Sequence, residues 1–360
     1  MSVGSAPAPG RAGGLRRLLE RVRQTGTVQG LLIGAVGGAV FHVLGLPAPW
    51  ISGAILAVAG AALAGIRVGM AVWLRQLAFV GLGFTMGANV TPATLQQLAL
   101  WPLSLVFLAL SIAMTSLVLA AYLRRIHHWD DATAGFSAAP GAFSYLLIVA
   151  SRSSADVPRV AVSQLIRLVV LAALLPLLLA ALESDPATPP ATLAARAGPL
   201  ELLAALAAAG LVGLACERLG VPAGMLLGAM IASAAIHGAG VSDARIPPDL
   251  LIPGFVITGT FIGARFRGTG ISLIVRTAGA GLATVFLALV ISGAAALAAS
   301  ALLELPFGQL WLAYAPGGVE VMAIMALALD LDPAFVGVHH ALRFMALSVA
   351  IPIWLRRHLK

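Results

Sequence analysis

Gly45-Leu46-Pro47-Ala48-Pro49, followed by Gly53-Ala54, returns as Gly220-Val221-Pro222-Ala223-Gly224, followed by Gly228-Ala229, 175 residues further on. After one inserted residue the offset becomes 176 and holds to the end of the chain. It carries Gly83, Gly87 and Ala88 onto Gly259, Gly263 and Ala264, and Pro140-Gly141 onto Pro316-Gly317. It then carries Asp156 onto Asp332, Val160 onto Val336, Arg167 onto Arg343 and Pro176 onto Pro352. Ala and Leu coincide by chance in any two apolar helices, but Pro, Gly, Asp and Arg at one offset do not, so the chain reads as one unit present twice. The units are residues 27–182 and 200–356, with a basic tail at 1–26, a Pro-rich linker at 183–199 that begins Glu183-Ser184-Asp185-Pro186, and a short basic tail at 357–360.

Of the 360 residues 60% are hydrophobic and 10% are charged, and the mean hydropathy is +1.00. A soluble domain carries roughly 25% charged residues, so this chain cannot cover itself with a water-facing surface. Charge-free stretches run over 24–66, 76–123, 132–151, 219–242 and 277–303. Several are long enough for one or two crossings of about 20 residues each. The implied partner is a lipid bilayer, and continuous apolar runs without period-two alternation predict an all-α fold rather than a barrel.

The net charge of +8 does not mark a DNA-binding face. Lys and Arg sit in short clusters between the apolar runs and at the two ends, which is the positive-inside pattern, so no direct nucleic-acid contact is expected. Arg11, Arg16, Arg17, Arg21 and Arg23 precede an apolar run over 27–44. This run is expected to be a retained anchor, because prolines 47 and 49 occupy the place where a cleavage site needs small residues and because the run has a counterpart in the second unit. The lone Cys216 excludes an internal disulfide and reads as apolar filler.

Each unit offers six apolar segments, in the first near 28–44, 48–66, 75–90, 97–123, 132–151 and 158–182. Twelve spanning helices would put Arg265, Arg267 and Arg276 outside, against the charge rule. The alternative is that the segments holding Ala139-Pro140-Gly141 and Ala315-Pro316-Gly317-Gly318 are broken and re-entrant, since Pro and Gly interrupt a helix. Ten helices then span, the repeats are inverted, and Arg67, Arg75, Arg124, Arg125, Arg218, Arg265, Arg267, Arg276 and the Arg356-Arg357-His358 tail share the cytoplasmic side, leaving Arg196 and Arg245 outside. Irregular backbone survives at membrane depth only where protein buries it or it lines a cavity, so the two broken segments should meet at a central site.

Arg167 and Arg343 each lie about ten residues into a helix opened by Pro158 or Pro333, roughly 15 Å deep. A guanidinium there costs at least ~2.5 kcal/mol and should meet an anion, either a solute or an acid of its own repeat. Glu320 follows the second break, where the first unit has Ser144, and is a candidate for proton uptake or for neutralising Arg343. Asp156 and Asp332 precede their helices and can cap them or couple ions. His339 and His340 lie one turn before Arg343 and read as a proton relay or as core hydrogen-bonding groups. Pro140, Gly141, Pro316, Gly317 and Gly318 would present free N–H groups to an anion, or are packing kinks. The pairs Gly83/Gly87, Gly224/Gly228 and Gly259/Gly263 have the spacing that allows close helix approach. No metal motif, cofactor-binding loop or nucleophile elbow occurs, so no metal or cofactor is expected.

The repeated Gly-Leu/Val-Pro-Ala motif, Ala-Pro-Gly-Gly-Val-Glu-Val-Met at 315–322 and Asp-Pro-Ala-Phe-Val-Gly-Val-His-His-Ala-Leu-Arg at 332–343 resemble the duplicated membrane AbrB family over nearly the whole chain. That resemblance implies similarity to inverted-repeat secondary transporters, and it brings two inherited labels, regulator of gene expression and ammonia monooxygenase. The residues carry neither label. The expectation is a non-enzymatic transporter or exporter of a small anionic solute in the bacterial inner membrane, with both termini cytoplasmic and a homo-oligomer allowed. The alternative is a membrane-embedded regulator or sensor.

Overall fold

The computed structural model describes residues 26–90, 101–140, 143–182 and 198–358, and among these it is helical without strands. The helices of the first unit are α1 (Thr27–Val43), α2 (Pro49–Leu63), α3 (Val72–Ala88), α4 (Trp101–His127), α5 (Asp131–Ala138), α6 (Phe143–Ala150) and α7 (Val157–Leu182). Those of the second are α8 (Pro199–Arg218), α9 (Gly224–Gly238), α10 (Ile252–Gly263), α11 (Ile271–Leu303), α12 (Phe307–Tyr314), α13 (Val319–Ala328) and α14 (Pro333–His358). The starts of α5, α6 and α7 recur 176 residues later as those of α12, α13 and α14. The fifth apolar segment of each unit is therefore two short helices rather than one. At the break Ala139 and Ala315 are both extended, with ψ of 125° and 137°, as a residue before proline must be.

Among the described residues six helices are long and apolar enough to cross a membrane, including α4, α7, α8 and α11, and α1, α2 and α9 are shorter apolar helices. The helices are inside out by the standard of a soluble protein. On α1 the inward positions are Gly30, Gly34 and Gly37, while Val28, Leu32, Val36 and Val40 face outward. Helix α11 buries Ala280, Thr284, Ala288 and Ser292 and exposes Leu282, Phe286, Val290 and Leu297. Water would reverse that choice; lipid rewards it, because close backbone packing rather than apolar burial then draws helices together.

Two helix groups result. Helices α1–α3 and α8–α10 interlock, with α3 against α9 and α2 against α10. The contacts are matched. A Cβ on Gly83 or Gly87 would strike the carbonyl of Leu226 or Met230, and one on Gly259 or Gly263 would meet the carbonyl of Ile51 or Ile55 at 2.7 and 2.8 Å. The second group places α4 against α11, α7 beside α11, and each broken pair against the long helix that follows it. The Ser52 hydroxyl, donating to the Ala172 carbonyl at 2.9 Å, links the groups.

Candidate functional site

A cavity of about 130 Å³ lies where the broken helices of both units meet. Its lining is paired by the same offset: Pro140 with Pro316, Phe143 with Val319, Gln164 with His340, Arg167 with Arg343 and Leu168 with Phe344. Gly317, Gly318, Glu320 and, from the other helix group, Pro222, Ala223 and Arg265 complete it. Arg167 and Arg343 are each 3% exposed.

Among the described residues neither arginine meets an acid. Arg343 donates from Nη1 to the Ala315 carbonyl at 2.7 Å and from Nη2 to the Gly317 carbonyl at 2.5 Å and to His340 Nδ1 at 2.7 Å. His340 in turn donates from Nε2 to the Leu312 carbonyl at 2.8 Å, so Nδ1 is free to accept. Arg167 repeats the arrangement. It donates to the Ala139 carbonyl at 3.2 Å, more weakly to the Ser137 carbonyl at 3.4 Å, and to Gln164 Oε1, while Gln164 Nε2 donates to the Phe136 carbonyl at 2.8 Å.

Helices α5 and α12 end at the break, where their last carbonyls lack intrahelical partners and carry the negative end of the helix dipole. The guanidinium groups satisfy carbonyls at these ends, Ser137 and Ala139 for Arg167 and Ala315 for Arg343, which also reaches Gly317 within the break. They neutralise partial charges only, and Arg167 Nε is buried without a partner. The two like charges also line the same cavity.

Glu320 stands in the first turn of α13, where a helix N-terminus favours a carboxylate, and it attracts Arg265 without forming an ion pair among the described residues. The Arg265 guanidinium lies over the rings of Phe261 and Phe143, 4.6 and 5.8 Å from their centroids. Ala223 at the rim has φ of 50°, and its counterpart Ala48 has φ of 46°, so the Pro-Ala motif holds a left-handed residue at the start of α9 and α2 alike.

The remaining candidates are placed elsewhere or lie outside the described residues. Asp156 accepts from the Arg159 N–H at 3.0 Å, and Asp332 accepts from the Ala334 and Phe335 N–H groups at 2.9 and 3.0 Å; both cap helices and neither lines the cavity. His339 points the other way from its neighbour. Its Nδ1 donates to the Phe335 carbonyl at 2.8 Å, and its Nε2 lies 3.0 Å from Ser104 Oγ, which is 2.9 Å from the Tyr314 hydroxyl. Gly141 falls outside the described residues. Gln164, Arg265, Pro222 and Ala223 are lining residues that sequence reasoning missed. Among the described residues no group of three or more His, Cys, Asp or Glu is gathered as metal ligands would be.

The fold and this site define a helical protein with membrane-spanning segments, whose two offset-matched sets of broken helices enclose one cationic cavity. The chain belongs to the AbrB family: the family model described as Transition state regulatory protein AbrB matches residues 50–358. No curated protein and no solved structure matches the chain.

Proposed function

We propose that the protein is a secondary transporter or exporter of a small anionic solute held in the cavity between the broken helices. The observation that carries this reading is the convergence of Arg167, Arg343 and Arg265 on one cavity whose single acid is Glu320, with Arg167 Nε left unpartnered. Intramembrane guanidinium groups are costly and persist where they serve a ligand or pathway. With three guanidinium groups and one carboxylate the ionised lining is cationic, and the volume suits a solute of few heavy atoms. The N-terminal ends of α6 and α13 reach the same cavity through Phe143 and Val319, which adds N–H dipoles aimed at an anion. Glu320 is the proton-coupling group in this reading.

The topology that goes with it has ten spanning helices, two re-entrant broken pairs and inverted repeats in the bacterial inner membrane, with both termini cytoplasmic. Its support is local. The Asp156 N–H donates to Thr133 Oγ1 at 2.8 Å, tying the first turn of α5 to the start of α7, so the α5–α6 pair enters and leaves at one end. Five crossings per unit then reverse the second unit and sort the arginines by the charge rule.

The experiment is flux through proteoliposomes holding the full chain, across a panel of small inorganic and organic anions with and without a pH gradient. We expect Arg265→Gln to weaken solute affinity with the fold intact and Glu320→Gln to remove the dependence on the pH gradient while exchange persists. Wild-type protein passing no anion of the panel would overturn the reading. The family description supports a second one, a membrane-embedded sensor acting on gene expression through a partner. That reading gains if deletion alters expression while an Arg265→Gln strain with weakened solute affinity does not.

A further inference from the structure

A second polar pocket, separate from the central cavity and of about 470 Å³, lies where the last turn of α4 meets the first turns of α7 and α11. His127, Trp129, Asp156, Arg159 and Arg276 line it. The Arg159 guanidinium stands over the Trp129 ring, 5.4 Å from its centroid, with Nε 3.5 Å from Asp156 Oδ2. The other Asp156 oxygen accepts the helix N–H of Arg159, so the one carboxylate present is committed to orienting Arg159. Arg276 is exposed and has no carboxylate within ion-pair distance among the described residues. The pocket thus holds two guanidinium groups against one occupied acid.

The duplication supplies an internal control. At the 176-residue offset His127, Trp129, Arg159 and Arg276 correspond to Leu303, Leu305, Phe335 and Leu100, and of the five only Asp156 keeps its identity, as Asp332. His127, Trp129 and Arg159 of the first unit have apolar counterparts in the second, and Arg276 of the second unit has one in the first, so the repeated fold does not itself call for the polar set. The basic set occurs at one end of the molecule, the end that also carries Arg124 and Arg125 in the last turn of α4. Its surroundings are apolar and outward-facing, with Ile126, Ile271 and Val275 all more than half exposed. A cationic pocket at the edge of a lipid-facing apolar surface is where an anionic headgroup meets a spanning protein. Two guanidinium groups, one held planar over an aromatic ring, match the oxygens of a phosphate.

We propose that this pocket binds the phosphate of an anionic phospholipid headgroup. The test uses the full chain in nanodiscs of phosphatidylcholine with increasing phosphatidylglycerol, reading retained phosphatidylglycerol by native mass spectrometry and fold integrity by the unfolding midpoint. Arg276→Gln should weaken retention about tenfold, the worth of one charge-assisted hydrogen bond to the phosphate. Arg125→Gln, at the same end but outside the pocket, should leave retention unchanged. Equal weakening by both variants, or none by Arg276→Gln, would overturn the pocket. Binding of free glycerol phosphate in pure phosphatidylcholine discs, with no preference for phosphatidylglycerol, would overturn the lipid source.

Discussion

The two arginine mounts share a design and differ in grip. Arg343 is fixed by the Ala315 and Gly317 carbonyls and the ring of His340, all within 2.7 Å. Arg167 has longer carbonyl bonds, at 3.2 and 3.4 Å, the flexible amide of Gln164 as its side-chain partner, and a buried Nε with none. The one acid of the shared lining, Glu320, comes from the second unit and attracts Arg265. The duplicated backbone supplies the carbonyl before each break, Ala139 and Ala315, to both mounts, and the remaining partners differ between them. Arg343 becomes a firmly held charge, and Arg167 keeps a buried Nε–H without a partner.

The largest effects should come from removing the arginines. A hydrogen bond to a charged group contributes about 1.5–3 kcal/mol, and the carbonyls left behind are buried. We expect Arg343→Gln to destabilise the chain roughly 2 kcal/mol more than Arg167→Gln, by unfolding in mixed detergent micelles. Both should stop flux. Equal destabilisation would break the comparison. Exchanging the supports comes next. His340→Gln installs the first unit's amide, which can donate to the Leu312 carbonyl and accept from Arg343, and should leave stability within about 1 kcal/mol; His340→Leu leaves those partners unmet and should lose about 1–3 kcal/mol.

What the sequence disclosed depended on rarity. Pro140, Pro316, Arg167 and Arg343 are costly residues in apolar helices, so their coincidence at one offset pointed to broken segments and to buried cations facing a common centre. The identity of the counter-charge was hidden, because side-chain spelling does not say which backbone carbonyls a broken helix leaves unpaired. An acid or a solute was the expected partner, and backbone carbonyls at and around the breaks, with His340 and Gln164, supply the bonds instead. Gln164 was recoverable, since it stands 176 residues before the suspected His340. Arg265 was not, because its counterpart is Asn89 and its place depends on how one helix group docks on the other. His339 and His340 are adjacent in sequence but turned about 100° apart on the helix, and so serve different neighbours.

The smallest expected effect tests whether the two caps are equivalent. Asp156 has a cation beside it, Arg159 Nε at 3.5 Å, whereas Asp332 has two helix N–H bonds and no ion pair among the described residues. Burial pushes the Asp332 carboxyl above its ordinary range, against the lowering effect of those N–H bonds. A raised carboxyl binds its proton more readily folded than unfolded, so its contribution to stability is fully present below the ordinary carboxylate range and is lost as pH rises through the raised value. Asn keeps the capping oxygen without the charge. Asp332→Asn should therefore raise stability at pH 7 by less than about 1 kcal/mol, a gain that fades on acidification. Asp156→Asn should lower it by a few tenths of a kcal/mol (about 0.3–0.5) through the lost pair. Shifts of the same sign at pH 7 would mean that the two ends hold their caps in like surroundings, and the charge asymmetry between them would no longer follow from these residues.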